Sequence, residues 1–240
     1  MSTQPGKLYG VGVGPGDPQL LTVKAVNIFR KVQVIFDIAG PNSQESVSGN
    51  ILKGLSDCHA RRERLLFSMS GSMASRTACW EKAAERVMEV LSRGENAAVA
   101  TIGDPLIYST FGYLRRQILL KMPQADIEVI PGITSFQAAA ALRGEPLVEN
   151  REILTIIPAL ENSHSNQEAL RNSDTAVLLK TYRNRDDKVR QVMETMIPES
   201  IFYAARIGHL DMVMATDPLA ISALPPDYLS LLIAKKGPHA

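Results

Sequence analysis

Three short segments combine glycine and proline with an acidic or hydroxyl residue, in patterns that could bind a small molecule. They are residues 12–17 (GVGPGD), 103–109 (GDPLIYS) and 131–135 (PGITS). Glycine has no Cβ, so the backbone of such a turn can approach a ligand closely. Each segment directly follows a short apolar run that predicts a strand. We therefore expect the three turns to lie at carboxyl ends of strands, where open α/β sheets bind ligands.

Each turn, taken alone, is also compatible with a purely structural role. The first is not a dinucleotide fingerprint, because the sixth position counted from Gly10 is Pro15 and counted from Gly12 is Asp17. It could be a tight strand-to-helix turn that binds nothing. In the same way, Asp104 could only cap the following helix, and the hydroxyls of the third turn could only cap an alanine-rich helix.

Three arginines form a second kind of candidate site. Arg61, Arg62 and Arg64 could bind an anionic ligand, although solvated charges on a loop are more common. The sequence contains no G-x-S-x-G, no Walker motif and no cysteine with an obvious base. We therefore do not expect an enzyme nucleophile of the familiar kinds.

The composition sets the class of protein. The chain has 240 residues, 45% of them hydrophobic and 21% charged, with a net charge of +1, which is typical of a globular protein and argues against one that coats nucleic acid. Cys58 and Cys79 form no CxxC and the histidines are scattered, so we expect no disulfide framework, no metal site and a reducing cytoplasm. The first ten residues lack a signal-peptide pattern, and no apolar stretch approaches the roughly 20 residues of a membrane span.

Apolar runs alternate with amphipathic stretches, a pattern that predicts an α/β fold. We predict a mostly parallel sheet in the N-terminal half and a mixed sheet in the C-terminal half, because the alternation is looser there. Lys121-Met122-Pro123 breaks the pattern, so we predict two domains, residues 1–122 and 123–240. Residues 38–75, which carry the three arginines, are predicted to be loops around one short helix. Strands are predicted at residues 8–13, 32–36, 97–102, 127–130, 153–157, 176–180, 201–205 and 229–234.

Taken together, in this order and spacing, the three turns resemble those of the tetrapyrrole (corrin/porphyrin) methyltransferases. The resemblance extends over residues 7–236 and is strongest in KLYGVGVGPGDPQLLTVKA, GDPLIYSTFGYL, IPGITSFQAAAA and LSLLIAKK. Within the family it is greatest to the branch that methylates C(20) of precorrin-2 or cobalt-factor II in cobalamin biosynthesis. The resemblance implies two α/β domains, S-adenosylmethionine bound in the cleft between them, a tetrapyrrole substrate and a homodimer.

The resemblance also implies roles for individual residues. Asp17 is our hypothesis for the group that binds pyrrole N–H groups or accepts the proton that must leave. Arg61, Arg62 and Arg64 could bind the carboxylates of the macrocycle. The residues implied to bind S-adenosylmethionine are Pro15, Ile102, Gly103, Asp104, Ile107, Thr134, Ser135 and Lys180.

The sequence leaves other functions open. A methylase of the same fold could act on another tetrapyrrole carbon, on rRNA, or on the histidine-derived residue of elongation factor 2. An NAD-dependent oxidoreductase and a non-enzymatic sensor of S-adenosylmethionine are the alternatives from other classes. Binding of S-adenosylmethionine but not NAD would exclude the oxidoreductase, and a methylated product would exclude the sensor.

Overall fold

The short apolar runs of the N-terminal half form one sheet, in which every pair of neighbouring strands is parallel. The computed structural model describes residues 4–40, 46–68, 71–158 and 164–237. The chain divides into two units, Met1–Thr134 and Ser135–Ala240. The strands of the first unit are β1 (Leu8–Gly12), β2 (Val34–Ala39), β3 (Arg61–Leu66), β4 (Ala97–Thr101) and β5 (Ile127–Ile130). Their order in the sheet is β3-β2-β4-β1-β5.

Helices cover both faces of this sheet, which explains why its central strands are apolar on both sides. α1 (Val23–Lys31) and α2 (Val47–Leu52) pack on one face, where their side chains meet Val11, Ile35 and Ala100. α3 (Met73–Ser92) and α4 (Phe111–Lys121) pack on the other face, against strand residues such as Leu8 and Val99. The first three helices begin at hydroxyl N-caps, whose side chains accept a hydrogen bond from a backbone N–H of the first turn. These N-caps are Thr22, Ser46 and Ser72.

The second unit contains a mixed sheet. Its strands are β6 (Leu154–Pro158), β7 (Thr175–Leu179), β8 (Ser200–Ala205), β9 (Val213–Ala215) and β10 (Ser230–Lys235), in the order β6-β7-β10-β8-β9. β6 and β7 are parallel, whereas β10 is antiparallel to both of its neighbours. The helices are α5 (Ser135–Arg143), α6 (His164–Arg171), α7 (Arg185–Met196) and α8 (Pro218–Ala223). Among all described helices of the chain, none has the length and apolar character needed to span a bilayer.

The predicted fold class, a parallel sheet followed by a mixed one, is confirmed. The structure divides into units after Thr134, whereas the break in the sequence pattern predicts a boundary after Met122; β5 pairs with β1 and so belongs to the first sheet. The three arginines lie on β3 rather than on a loop. The sequence pattern does not predict this strand, because it lies at the edge of the sheet and edge strands commonly carry charged side chains.

Candidate active site

The three glycine-containing turns converge, and they do so through backbone contacts. A Cβ built on buried Gly12 would lie 2.5 Å from the carbonyl oxygen of Gly103 and 2.6 Å from the nitrogen of Gly132. A Cβ built on Gly132 would lie 2.2 Å from the same oxygen of Gly103. Real Cβ atoms do not come this close to backbone atoms. Glycine is therefore required at positions 12 and 132 for the turns to meet.

The first two turns are also joined by hydrogen bonds. The N–H of Gly103 donates to the carbonyl of Gly14 at 2.7 Å, and the N–H of Val13 donates to the carbonyl of Thr101 at 2.9 Å. Gly14 and Gly103 have φ values of +77° and +65°, in the left-handed region that favours glycine. The nearest atom to a Cβ on Gly103 would be the Cα of Thr134, 4.0 Å away. This side of Gly103 is thus open to close approach by a ligand.

Asp104 joins the second turn to the third. Its Oδ1 accepts a hydrogen bond from the N–H of Leu106 at 2.8 Å, and its Oδ2 accepts one from the N–H of Gly132 at 3.1 Å. Hydrogen bonds to an ionised carboxylate are stronger than those between neutral groups. The carboxylate therefore fixes the positions of two turns that are far apart in the sequence. The resemblance implies that Asp104 binds the cofactor, whereas the contacts in the structure show that it links the two turns.

The topology of the sheet explains why the turns meet at this edge. After β1 the chain passes to α1 on one face of the sheet, and after β4 it passes to α4 on the other face. β1 and β4 are adjacent, so their connections diverge at their carboxyl ends. Such a switch point is where open α/β sheets bind ligands. The candidate site occupies this position.

Asp17 has a local role in the structure. Its Oδ1 accepts a hydrogen bond from the N–H of Gln19 at 2.8 Å, which caps the 3-10 helix Pro18–Leu20. Pro15, in the same turn, is buried. Among the residues that the structure describes, no contact of Asp17 singles it out as an acid or base, and its catalytic role stays a prediction.

The second turn presents apolar side chains. Ile102 is half-buried, while Leu106, Ile107 and Tyr108 are exposed. Tyr108 adopts a φ of +48°, a conformation that costs free energy for a bulky side chain. The turn therefore combines an anchored carboxylate at one end with a strained, apolar surface at the other.

The three arginines do not form one cationic patch. Alternation along β3 puts Arg61 on the opposite face of the strand from Arg62 and Arg64. Arg61 pairs with Glu63 and Glu95. The two remaining arginines are thus the ones on the α1/α2 face of the sheet.

Asp37, on β2, is a candidate functional residue that none of the sequence motifs contains. Its Oδ2 lies 3.3 Å from Nη2 of Arg62, and in the parallel register it stands beside Arg64. Burial raises the pKa of the Asp37 carboxyl, against the opposing effect of the two arginines. The signal in the sequence was an aspartate near the end of an apolar strand.

Of the remaining predicted residues, Thr134 is the last residue of the first unit, and Ser135 and Lys180 belong to the second unit. Thr134 is buried, and Ser135 is the first residue of α5. Lys180 directly follows β7 and has a φ of +60°. Its ammonium lies 6.0 Å from the centre of the Tyr228 ring, and burial lowers the pKa of this lysine. Lys180 is thus a strained and partly desolvated cation.

Comparison with known proteins identifies what this chain resembles. The family model described as Tetrapyrrole (Corrin/Porphyrin) Methylases matches residues 7–221. A probable cobalt-precorrin-2 C(20)-methyltransferase of Methanocaldococcus jannaschii is 35% identical, over 96% of each chain. The cobalt-precorrin-2 C(20)-methyltransferase of Salmonella typhimurium is 30% identical, over 74% of this chain and 73% of the relative. A uroporphyrin-III C-methyltransferase structure from Thermus thermophilus, complexed with S-adenosylhomocysteine, has the same fold, with a TM-score of 0.69 at 18% identity and coverage of 96% and 97%.

Proposed function

The chain belongs to the tetrapyrrole (corrin/porphyrin) methylases, and from that premise we propose that it transfers the methyl group of S-adenosylmethionine to C(20) of precorrin-2 or of its cobalt-containing counterpart. Two relatives named for C(20) methylation, at 35% and 30% identity, support this position on the macrocycle. The observation that carries the proposal is the convergence of the three turns at the switch point between β1 and β4. An NAD-dependent oxidoreductase is disfavoured, because this glycine turn lacks the dinucleotide fingerprint.

The residues of the turns suit a sulfonium donor better than a nucleotide diphosphate. S-adenosylmethionine carries no phosphate, and it needs close backbone approach together with donors and acceptors for its carboxylate, ammonium and adenine. The open, left-handed Gly103 offers such an approach. We assign Pro15, Ile102, Gly103, Ile107 and Thr134 to donor binding, with Asp104 holding the turns in place. Ser135 and Lys180 remain donor contacts predicted by the resemblance alone.

Methyl transfer requires little covalent chemistry from this chain. When bound, the donor would supply an electrophilic methyl group. C(20) of the acceptor bonds to that carbon as its bond to sulfur breaks, S-adenosylhomocysteine is the leaving group, and the acceptor then loses one proton to water or to Asp17. The residues of the site need only hold the donor and acceptor in line and exclude water, effects that supply much of the rate in such reactions. The rigid backbone contacts of Gly12, Gly103 and Gly132 suit this positioning role, because they leave the turns little freedom to move apart.

The decisive experiment identifies both the product and the methylated carbon. The purified chain is incubated with S-adenosylmethionine and either precorrin-2 or its cobalt-containing counterpart, followed by mass spectrometry and NMR of the product. We expect one added methyl group, at C(20). A methyl group at another carbon would contradict the C(20) assignment, and calorimetric binding of NAD in place of S-adenosylmethionine would contradict the methyltransferase function.

The resemblance further implies a cytoplasmic homodimer, which is part of the same proposal. Light scattering of the purified chain at several concentrations tests the oligomeric state. We expect a mass of twice 26.2 kDa. A monomer at micromolar concentration would contradict this part of the proposal and leave the proposed reaction unaffected.

A further inference from the structure

The second turn contains a run of three exposed apolar side chains. Leu106, Ile107 and Tyr108 are 64%, 40% and 47% exposed. Among the residues that the structure describes, no other three consecutive large hydrophobic side chains are exposed. Single exposed apolar residues are normal, whereas contiguous ones are characteristic of surfaces that a ligand or partner covers. The run therefore indicates a binding surface beside the switch point between β1 and β4.

The backbone at Tyr108 is held from both sides. Before it, Oδ1 of Asp104 accepts a hydrogen bond from the N–H of Leu106 at 2.8 Å. After it, Oγ of Ser109 accepts one from the N–H of Phe111 at 3.2 Å. Between these bonds the chain passes through the left-handed conformation of Tyr108, which glycine would adopt without strain. A tyrosine at this position calls for an interaction of its ring that offsets the strain.

Strain alone does not mark a site, as Ile197 in the second unit shows. Ile197 has a φ of +50° and is 81% exposed, but it is the C-cap of α7, and its N–H donates to the carbonyl of Met193. Helix C-termini commonly pass through the left-handed region. Tyr108 lies between β4 and α4, so no helix C-cap accounts for its conformation. At Tyr108 the strain coincides with an exposed aromatic ring at the switch point.

The start of α4, which follows the run, is held by an aromatic cluster. The ring centre of Tyr113 lies 4.5 Å from that of Trp80, and Trp80 stacks on Phe67 at 5.6 Å. Nε1 of Trp80 donates to the carbonyl of Ser68 at 2.9 Å. These contacts fix α4 against α3 and the segment after β3. The apolar run therefore has rigid support, and a preorganised surface loses little conformational entropy on binding.

The chemistry of the two reactants favours the acceptor as the molecule that covers this run. Adenine is flat, but its amino group and ring nitrogens need polar partners, and two of the three side chains, Leu106 and Ile107, are hydrocarbon. A tetrapyrrole presents a broad face of carbon atoms, and aromatic rings pack well against such faces. The acceptor must also lie beside the donor, which we assign to the same turn. Tyr108 directly follows Ile107, one of the residues assigned to the donor.

We propose that Tyr108 is an acceptor-binding residue, whose ring packs against a face of the tetrapyrrole and holds C(20) in front of the donor methyl group. This proposal rests on the proposed function. Contact with the face of the macrocycle does not depend on what its centre holds. The proposal therefore predicts the same effect for the metal-free and the cobalt-containing acceptor.

The test titrates the unchanged chain and three variants with each macrocycle and with S-adenosylhomocysteine. Tyr108→Gly and Tyr108→Asn remove the ring, and both residues tolerate a left-handed conformation. We expect both to bind each macrocycle about 10-fold more weakly, the size of one lost aromatic contact, with the affinity for S-adenosylhomocysteine unchanged. Tyr108→Phe keeps the ring and should keep the acceptor affinity.

Thermal denaturation separates this role from a structural one. Tyr108→Gly relieves the left-handed strain, so its melting temperature should rise by about 2–4 °C while its acceptor affinity falls. The matched control is Ile197→Gly, which relieves the same kind of strain at the end of α7. It should raise the melting temperature in the same way and leave both affinities unchanged.

Four results would overturn the role of Tyr108. They are an unchanged acceptor affinity in Tyr108→Gly and Tyr108→Asn, an equal loss of affinity for S-adenosylhomocysteine, a loss for only one of the two macrocycles, and a fall in the melting temperature of Tyr108→Gly. In each case methylation of C(20) by the unchanged chain would leave the proposed function intact. An unchanged chain that binds neither S-adenosylmethionine nor a tetrapyrrole would overturn both.

Discussion

The carboxyl ends of the strands in the two sheets are built in different ways. In the first sheet, the left-handed positions Gly14 and Gly103 are glycines, and the turns pack backbone against backbone. In the second sheet, Lys180 and Arg206 directly follow β7 and β8, and both have left-handed φ values, of +60° and +54°. Their N–H groups donate to Ser230 and Leu229, on either side of the start of β10. The left-handed conformation is thus adopted by glycines just after β1 and β4, with Tyr108 as the exception later in the second turn, and by long cationic residues directly after β7 and β8.

This difference indicates what each edge must provide. Glycine avoids the cost of about 1–2 kcal/mol that other residues pay for a left-handed conformation, and it allows close approach. Lysine and arginine incur this cost, so we infer that interactions of their side chains offset it. Arg206 pairs with Asp211 and Asp227, whereas Lys180 lies over Tyr228 and is partly desolvated. The first edge thus permits close approach to its backbone, and the second places charged side chains.

The largest expected effect comes from adding a methyl group where the turns meet. Gly12→Ala would place Cβ 2.5 Å from the carbonyl oxygen of Gly103, and backbone atoms on both sides leave it no room. We expect the free energy of unfolding to fall by about 1–3 kcal/mol, as in overpacked cores. Because the turns must move apart, the affinity for S-adenosylmethionine should fall by more than about 10-fold. Urea denaturation and calorimetry measure the two effects.

A matched control separates packing from the loss of a glycine. A Cβ added to Gly112, in α4, would have no atom within 4 Å. Gly112→Ala should therefore raise the free energy of unfolding by about 0.5 kcal/mol, because alanine favours the helix. If the alanine at position 12 were tolerated as well as the one at 112, the backbone packing would not be what defines the first edge.

Asp104→Asn tests the joint between the second and third turns. Asparagine has one acceptor oxygen where aspartate has two, so either Leu106 or Gly132 loses its partner and faces an NH₂ group. We expect the affinity for S-adenosylmethionine to fall about 10-fold, the size of one lost charge-assisted bond. The control is Asp217→Asn, since Asp217 uses a single oxygen to cap α8. If Asp104→Asn and the unchanged chain bound S-adenosylmethionine equally well, the hydrogen bonds of Asp104 to the two turns would not be needed for donor binding.

The turns of the first edge could be predicted from the sequence because their signals are local. A strand followed by glycine and proline predicts a turn whatever surrounds it, and in the structure the three segments lie at the ends of β1, β4 and β5. That Gly12, Gly103 and Gly132 touch one another depends on the order of the strands, which no local signal encodes. The carboxylate of Asp104 reaches across 28 residues for the same reason.

Features that depend on partners distant in the sequence were missed. β3 carries arginines on both of its faces and becomes a strand only by pairing with β2. The sequence pattern predicts the boundary before β5, whereas the structure divides after Thr134, because the pairing of β5 with β1 has no local signal. The strain at Lys180 has no signal at all, since lysine is not a residue that indicates a left-handed conformation.

Exchanging the residue types of the two edges tests the interpretation directly. Lys180→Gly relieves the left-handed strain and should raise the free energy of unfolding by up to about 1 kcal/mol. Gly14→Ala imposes that strain at a φ of +77° and should lower it by about 1–2 kcal/mol. Thermal denaturation of both variants gives the signs. A loss of stability in Lys180→Gly would mean that the contact with Tyr228 outweighs the strain.

The smallest expected effect is a pH dependence confined to the second edge. Burial lowers the pKa of Lys180 in the folded chain below the usual 10.5. Between the pKa of the folded chain and 10.5, the unfolded chain therefore binds more protons than the folded one. Stability due to this group therefore rises with pH up to about 10, and Lys180→Met should remove that rise. Burial raises the pKa of Tyr228 above 10.0, which acts in the opposite direction, but only above that pH. Lys121 is the control. Glu85 raises the pKa of Lys121, so its contribution to the free energy of unfolding changes only above pH 10.5. Lys121→Met should therefore leave unchanged the rise of the free energy of unfolding between about pH 7 and 10, measured by urea denaturation at each pH. If Lys180→Met left the change of the free energy of unfolding with pH intact, the ammonium of Lys180 would be solvated like that of a surface lysine.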